Sequence, residues 1–150
     1  MERQTILIVD DAEMNRMMLS DMLGDQYDYV EAADGREALR ILEKNVSIDL
    51  MLLDMVMPDM DGFAVLEAMN RYHWIEQIPV IVISAEQTDD FMERAYTLGV
   101  SDYIRRPFYS LIVRRRVENT IMLYRRQRQL TALISRQVLE KEKLSSMLLG

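Results

Sequence analysis

The run Thr5–Val9 (TILIV) is short, β-branched and apolar, and two aspartates cut it off. Such a run reads as a strand buried on both faces. The same design recurs at Asp49–Leu53 (DLMLL), which stops on Asp54, and at Ile78–Ile83 (IPVIVI), which stops on Ser84. A weaker strand is expected over Tyr29–Ala32 and a fifth over Ser101–Ile104. Helical spacing fills the intervals. Residues 13–23 place Met14, Met17, Met18, Leu19, Met22 and Leu23 at helical intervals before Gly24. A second helix follows Asp34-Gly35, a third runs from Asp61-Gly62 through Arg71, and a fourth covers 88–98 and closes on Gly99. A last, long helix begins near Ser110. Strand then helix, five times over, predicts an α/β chain: a doubly wound parallel sheet between two layers of helices.

In such sheets the functional crevice lies at the carboxyl ends of the strands. The residues that terminate the strands therefore belong together: Asp10, Asp11, Asp54, Ser84, and the pair Arg105-Arg106. The first strand is followed by Asp10-Asp11-Ala12-Glu13, and neither GxGxxG nor GxxxxGK[ST] occurs, which argues against a dinucleotide or nucleoside triphosphate site. With no cysteine, thiolate metal sites and disulfides are excluded. The one histidine, His73, is expected at the surface, and the thirteen methionines as adaptable core filler. No segment has the signal-peptide pattern and no apolar run reaches bilayer-spanning length, so a cytoplasmic location is expected.

Three carboxylates converging on one rim repel each other, by about 4 kcal/mol per pair at roughly 4 Å and an effective dielectric near 20. They can diverge into solvent as helix caps. Alternatively a hard divalent cation such as Mg²⁺, which takes oxygen ligands and keeps several waters, resolves the repulsion. An acidic metal site beside a nucleophilic carboxylate, a hydroxyl and a fixed cation is equipment for phosphoryl transfer onto aspartate. In that reading Asp54 attacks phosphorus, Ser84 donates to one phosphoryl oxygen and an arginine pairs with another. Taken alone, Ser84 reads as a helix cap or a plain turn residue.

The motifs ILIVDD, LLDMVMPDMDG, PVIVISA and DYIRRPF together resemble the receiver domain of two-component response regulators, over residues 5 to about 123. The resemblance implies a flavodoxin-like sheet of order 2-1-3-4-5, the standing example of the switch-point rule. It implies Asp54 as phosphoacceptor for a histidine kinase or phosphotransfer protein. Mg²⁺ would be held by Asp11, Asp54 and the carbonyl of Val56, with Asp10 reaching it through water. Ser84 and Tyr103 would be the switch pair, in which phosphorylation draws the hydroxyl inward and the aromatic follows. Tyr103 also reads as an ordinary core-edge aromatic. Val56 and Glu86 fall where the family tunes hydrolysis.

At one position the chain departs from the family. Before the proline of DYIRRPF the family has lysine, and this chain has Arg106. A guanidinium is planar and forked, so the exchange is not conservative. Arg106 is expected either to bind phosphate through two N–H groups or to clamp Asp54 at rest. The resemblance also implies a cis Arg106-Pro107 bond, while Arg105 is expected in solvent.

Charge divides the chain in two. Residues 1–108 hold 9 Lys/Arg and 22 Asp/Glu, whereas residues 109–150 hold 9 and 3. Helix-forming sequence continues past the expected receiver end at residue 123, so 1–123 reads as the domain and 124–150 as a helical extension. Leu123, Leu130, Ile134, Leu144 and Leu148 share one heptad seam with Gln127, Gln137 and Lys141, an imperfect coiled coil suited to a homodimer. A tail folded back on its own domain is the competing arrangement. The pattern RVxNxxxLYRxxRQLxxL is reminiscent of receivers ahead of cyclic-dinucleotide cyclase or phosphodiesterase domains; an output domain is absent here, so the chain is expected to be part of a longer protein. The Arg114–Arg116, Arg125, Arg126 and Arg128 cluster could touch nucleic acid, but no helix-turn-helix is visible and the acidic receiver of a partner subunit is the preferred contact. The chain is expected to act as a signalling switch rather than an enzyme, beyond gaining and losing its own phosphoryl group. Two rivals stand beside it. A phosphorylation-independent pseudo-receiver would be locked by Arg106. An aspartate-nucleophile phosphohydrolase of the haloacid-dehalogenase type needs an acid/base two residues after Asp54, where this chain has Val56.

Overall fold

A computed structural model describes residues 3–44, 46–85 and 88–149; Glu86 lies outside the described residues. The order is β1 Gln4–Val9, α1 Glu13–Leu23, β2 Tyr27–Ala32, α2 Gly35–Glu43, β3 Leu50–Asp54, α3 Gly62–Arg71, a 3₁₀ turn at Trp74–Glu76, β4 Val80–Ser84, α4 Asp89–Thr97, β5 Asp102–Arg105 and α5 Ser110–Leu149. The five strands form one sheet of order β2-β1-β3-β4-β5, and every pairing is parallel.

Alternation along each strand splits the core in two. Leu7, Val9, Met51, Leu53, Val80 and Val82 face one side, where Ala38, Leu42, Val65, Leu66, Met69 and Ala95 of α2, α3 and α4 cover them. Ile6, Ile8, Leu50, Leu52, Ile81, Ile83 and Ile104 face the other, beneath Leu19 and Leu23 of α1 and Val113, Val117 and Ile121 of α5. Each fully buried aliphatic side chain contributes about 1.5–3 kcal/mol. Every residue of β3 and β4 is buried, as the unbroken apolar runs require.

Helix starts carry their own signals. Asp34 accepts the Glu37 N–H at 2.8 Å while Glu37 returns to the Ala33 N–H at 3.1 Å, a reciprocal cap. Asp61 caps α3 through Ala64 N–H at 2.9 Å, and Thr88 caps α4 through Phe91 N–H at 3.3 Å. Ala12 caps α1 without a side-chain bond, so Asp10 and Asp11 do not serve as its cap residue.

The methionine expectation needs correction. Met51, Met55, Met57 and Met69 are buried filler, but Met14 is 75% exposed, and Met17, Met18, Met122 and Met147 are exposed as well. The buried stripe of α1 is carried by Leu19 and Leu23, and the methionines at 14, 17 and 18 lie off it.

Candidate functional site

Register builds the site. Val9 pairs with Leu53, Asp54 with Ile83, and Ser84 with Arg105, so the strand ends finish on one rim. Asp10, Asp11 and Asp54 each offer an oxygen, all within 4.8 Å of one another. Asp10 and Asp54 are buried and Asp11 is exposed. The carboxylates therefore converge instead of diverging into solvent.

Asp10 is surrounded by donors. Its Oδ1 accepts the Ala12 N–H at 2.9 Å, and the Asn15 amide lies 3.4 and 3.3 Å from its two oxygens. Arg16 donates to the Asp10 carbonyl at 2.8 Å and pairs with Glu31 at 3.0 Å. The Arg106 Nη2 lies 2.7 Å from Asp10 Oδ2 and 3.5 Å from Asp54 Oδ2. Of the two expected placements for Arg106, the structure has it resting on the carboxylates, with Asp10 as its main partner. Among the described residues its buried Nε has no hydrogen-bond partner, and the Arg106-Pro107 bond is cis. Arg105 is exposed, as alternation requires.

Asp54 Oδ1 accepts the Val56 N–H at 3.2 Å. Burial pushes the Asp54 carboxyl up to about 6; Asp10 and Asp11 add to the rise, while the Val56 N–H and Arg106 oppose it. The loop after Asp54 must fold close. A Cβ on Gly62 would fall 2.7 Å from Met55 Cα and 2.9 Å from the Asp54 carbonyl oxygen, which explains a glycine there.

Ser84 ends β4 and is buried; α4 is capped by Thr88, so the cap role for Ser84 falls away. Tyr103 is half-buried against the α2–α4 side of the core, and the Arg116 guanidinium stands 5.3 Å over its ring. Asn15 and Arg16 belong to the site although no motif in the sequence marks them, and Gly62 belongs to it through its close approach to Asp54. Asn15 and Arg16 sit in the first turn of α1, straight after the Asp10–Ala12 turn, the one signal that points to them.

The donor set is all oxygen, compact and strongly acidic, which fits a small hard divalent cation. The description "Response regulator receiver domain" matches residues 6–118. The chain belongs to that family. A relative named "Probable cyclic di-GMP phosphodiesterase", from Vibrio cholerae, is 36% identical over 113 residues, covering 75% of this receiver chain and 25% of that protein. Response regulator RR06 of Streptococcus pneumoniae is 34% identical over 120 residues, covering 79% of this chain and 54% of its own length. The chain thus spans a quarter to about half of these relatives. Among solved structures, chemotaxis protein CheY4 of Vibrio cholerae superposes with TM-score 0.74 at 27% identity, over 79% of this chain and 99% of that one. A probable two-component system response regulator/GGDEF domain protein gives TM-score 0.75 at 28% identity, over 81% of this chain and 50% of that one. Receiver domains are signalling switches that bind Mg²⁺ at an acidic pocket and interact with histidine kinases or phosphotransfer proteins. No helix among the described residues is long and apolar enough to cross a membrane.

Proposed function

We propose that this receiver accepts a phosphoryl group on Asp54 from a histidine kinase or a phosphotransfer protein, and passes the change to a helix that pairs with a second copy. The carrying observation is the convergence of Asp10, Asp11 and Asp54 on one rim, with Arg106 across them. In the transfer an Asp54 carboxylate oxygen forms a bond to phosphorus as the donor's P–N bond breaks, and the imidazole leaves with that electron pair. Asp10, Asp11, Asp54 and the Val56 carbonyl are the groups to hold Mg²⁺, which when bound neutralises charge on carboxylate and phosphoryl oxygens. The Val56 N–H keeps Asp54 oriented, Ser84 and Arg106 meet phosphoryl oxygens, and Tyr103 answers as the switch aromatic. Hydrolysis of the acyl phosphate returns the carboxylate.

The domain boundary is proposed at 123: Ile121 is buried, and every described residue from Arg125 onward is exposed. An output that makes or degrades a cyclic dinucleotide fits the names of the Vibrio cholerae relative and of the GGDEF-domain structure. A cytoplasmic setting fits a histidine-kinase partner.

The test is a small phosphodonor with Mg²⁺, read by intact mass and peptide mapping. A gain of one phosphoryl group at Asp54, lost in Asp54→Ala, is expected; an adduct elsewhere, or one that survives the substitution, overturns the assignment. The Arg106 contact at 2.7 Å to Asp10 favours a second reading, a pseudo-receiver that never loads. Failure of Mg²⁺ and beryllofluoride to bind together would select it.

A further inference from the structure

The two buried aspartates have four carboxylate oxygens, and all four already face a donor. Asp10 Oδ1 faces Ala12 N–H at 2.9 Å and Asp54 Oδ1 faces Val56 N–H at 3.2 Å. Arg106 Nη2 serves the other two, at 2.7 Å on Asp10 and 3.5 Å on Asp54. A divalent cation that comes to this rim meets a fixed positive charge on the oxygens it needs. The guanidinium is also half used. Nε–H and one N–H of Nη2 lie on one edge of the planar group, spaced to meet two oxygens of a carboxylate or a tetrahedral oxyanion. Here Nη2 is engaged while Nε is buried with no acceptor among the described residues. An unmet buried donor is unfavourable, so this pose is a compromise that a further oxygen would relieve. The side chain is otherwise well held: its backbone N–H bonds the Ser84 carbonyl at 3.3 Å, and its guanidinium sits 5.7 Å from the centre of the Phe108 ring.

We infer that Arg106 is a resident counter-cation that competes with the divalent ion for Asp10 and Asp54, and that an oxyanion arriving on Asp54 draws its Nε–Nη2 edge away from them. The inference rests on the receiver reading above. In the empty site Arg106 stabilises the two aspartates and holds metal affinity down. In the loaded site it exchanges carboxylate oxygens for oxygens of the arriving group and frees the former for the metal. Metal and oxyanion therefore help each other bind through Arg106, and by linkage the effect is reciprocal. A lysine in this place would keep the competition but lacks the two-point edge, so it would lose most of that coupling.

The experiment is titration calorimetry of Mg²⁺ into the full chain, with and without beryllofluoride, for the parent, R106K and R106A. Without beryllofluoride, R106A is expected to bind Mg²⁺ at least tenfold more tightly than the parent, and R106K within about threefold of it. With beryllofluoride, the gain in Mg²⁺ affinity should be at least fivefold larger in the parent than in R106K. The Arg106 Nε–H resonance should move downfield only when beryllofluoride and Mg²⁺ are both present. R106K retains the charge the buried aspartates need, so it decides the coupling even where R106A folds poorly. Equal Mg²⁺ affinity in parent and R106A, or equal gains in parent and R106K, overturns the inference and leaves the receiver reading intact. A parent chain that binds neither ligand overturns the phosphoacceptor reading as well and selects the pseudo-receiver.

Discussion

At the scale of the residue, a proton on Asp54 is held more tightly in the folded chain than in the unfolded one, because burial lifts its carboxyl from 3.8 to about 6. The folded state therefore binds more protons between those values, and stability falls as pH rises through that window. Above it the whole cost is present, roughly 2–3 kcal/mol at 1.36 kcal/mol per pH unit. Asp54→Asn removes the titration. In metal-free buffer at pH 7.5 its melting temperature should exceed the parent's by several degrees, and the advantage should vanish as pH is lowered toward 4. A constant difference across pH would show that the carboxylate's charge is not the cause. Added Mg²⁺ should narrow the gap by stabilising the parent alone. Asp10, Asp11, Asp54 and Arg106 were legible because strand ends share a rim in any parallel sheet. The orientation of Arg106 was not, since sequence says which charge is present and not which oxygen it chooses. Asn15 and Arg16 stayed hidden for the same reason: both look like exposed helix residues until Asp10 is seen between them.

At the scale of the element, side chains buried on both faces make β3 and β4 the least forgiving segments. Leu52 is fully buried against the α1–α5 side, and Leu52→Ala should cost about 2–5 kcal/mol in urea unfolding. Asp61→Ala removes the α3 cap and should cost about 1 kcal/mol, with the sheet unaffected in amide exchange. The elements themselves were readable from period and punctuation, and their ends were not. β4 begins at Val80 and not at Ile78, because Pro79 has no N–H to give a ladder and offers its carbonyl to Met51 N–H at 2.9 Å instead. β2 begins earlier than its apolar content suggests, at Tyr27, because Gln4 of β1 pairs with it. The 3₁₀ turn at Trp74–Glu76 has too few residues for any period to reveal.

At the scale of the whole molecule, α5 belongs to two environments. Its first part packs Val113, Val117 and Ile121 on the sheet, and its remainder carries exposed Leu130, Ile134, Leu144 and Leu148. A lone helix with such a seam is marginal in water, which is why a second copy is the proposed cover. Leu130→Glu with Ile134→Glu should convert a dimer to a monomer in sedimentation equilibrium, while the receiver's own melting transition stays within about 1 °C. A parent chain that is monomeric at high concentration would remove the dimer from the proposal. The helix runs antiparallel to the strands it covers, so it leaves the sheet at the end opposite Asp54. Arg128 still bonds the Gln77 carbonyl, and the stretch beyond it, residues 129–149, is ~32 Å long at 1.5 Å per residue. Pivoting at its base by about 5°, a rod of that length carries its tip ~3 Å sideways, roughly the distance that makes or breaks a hydrogen bond. If the helix carries the proposed signal, it works as a lever, and a small rearrangement beneath it is magnified at the far end.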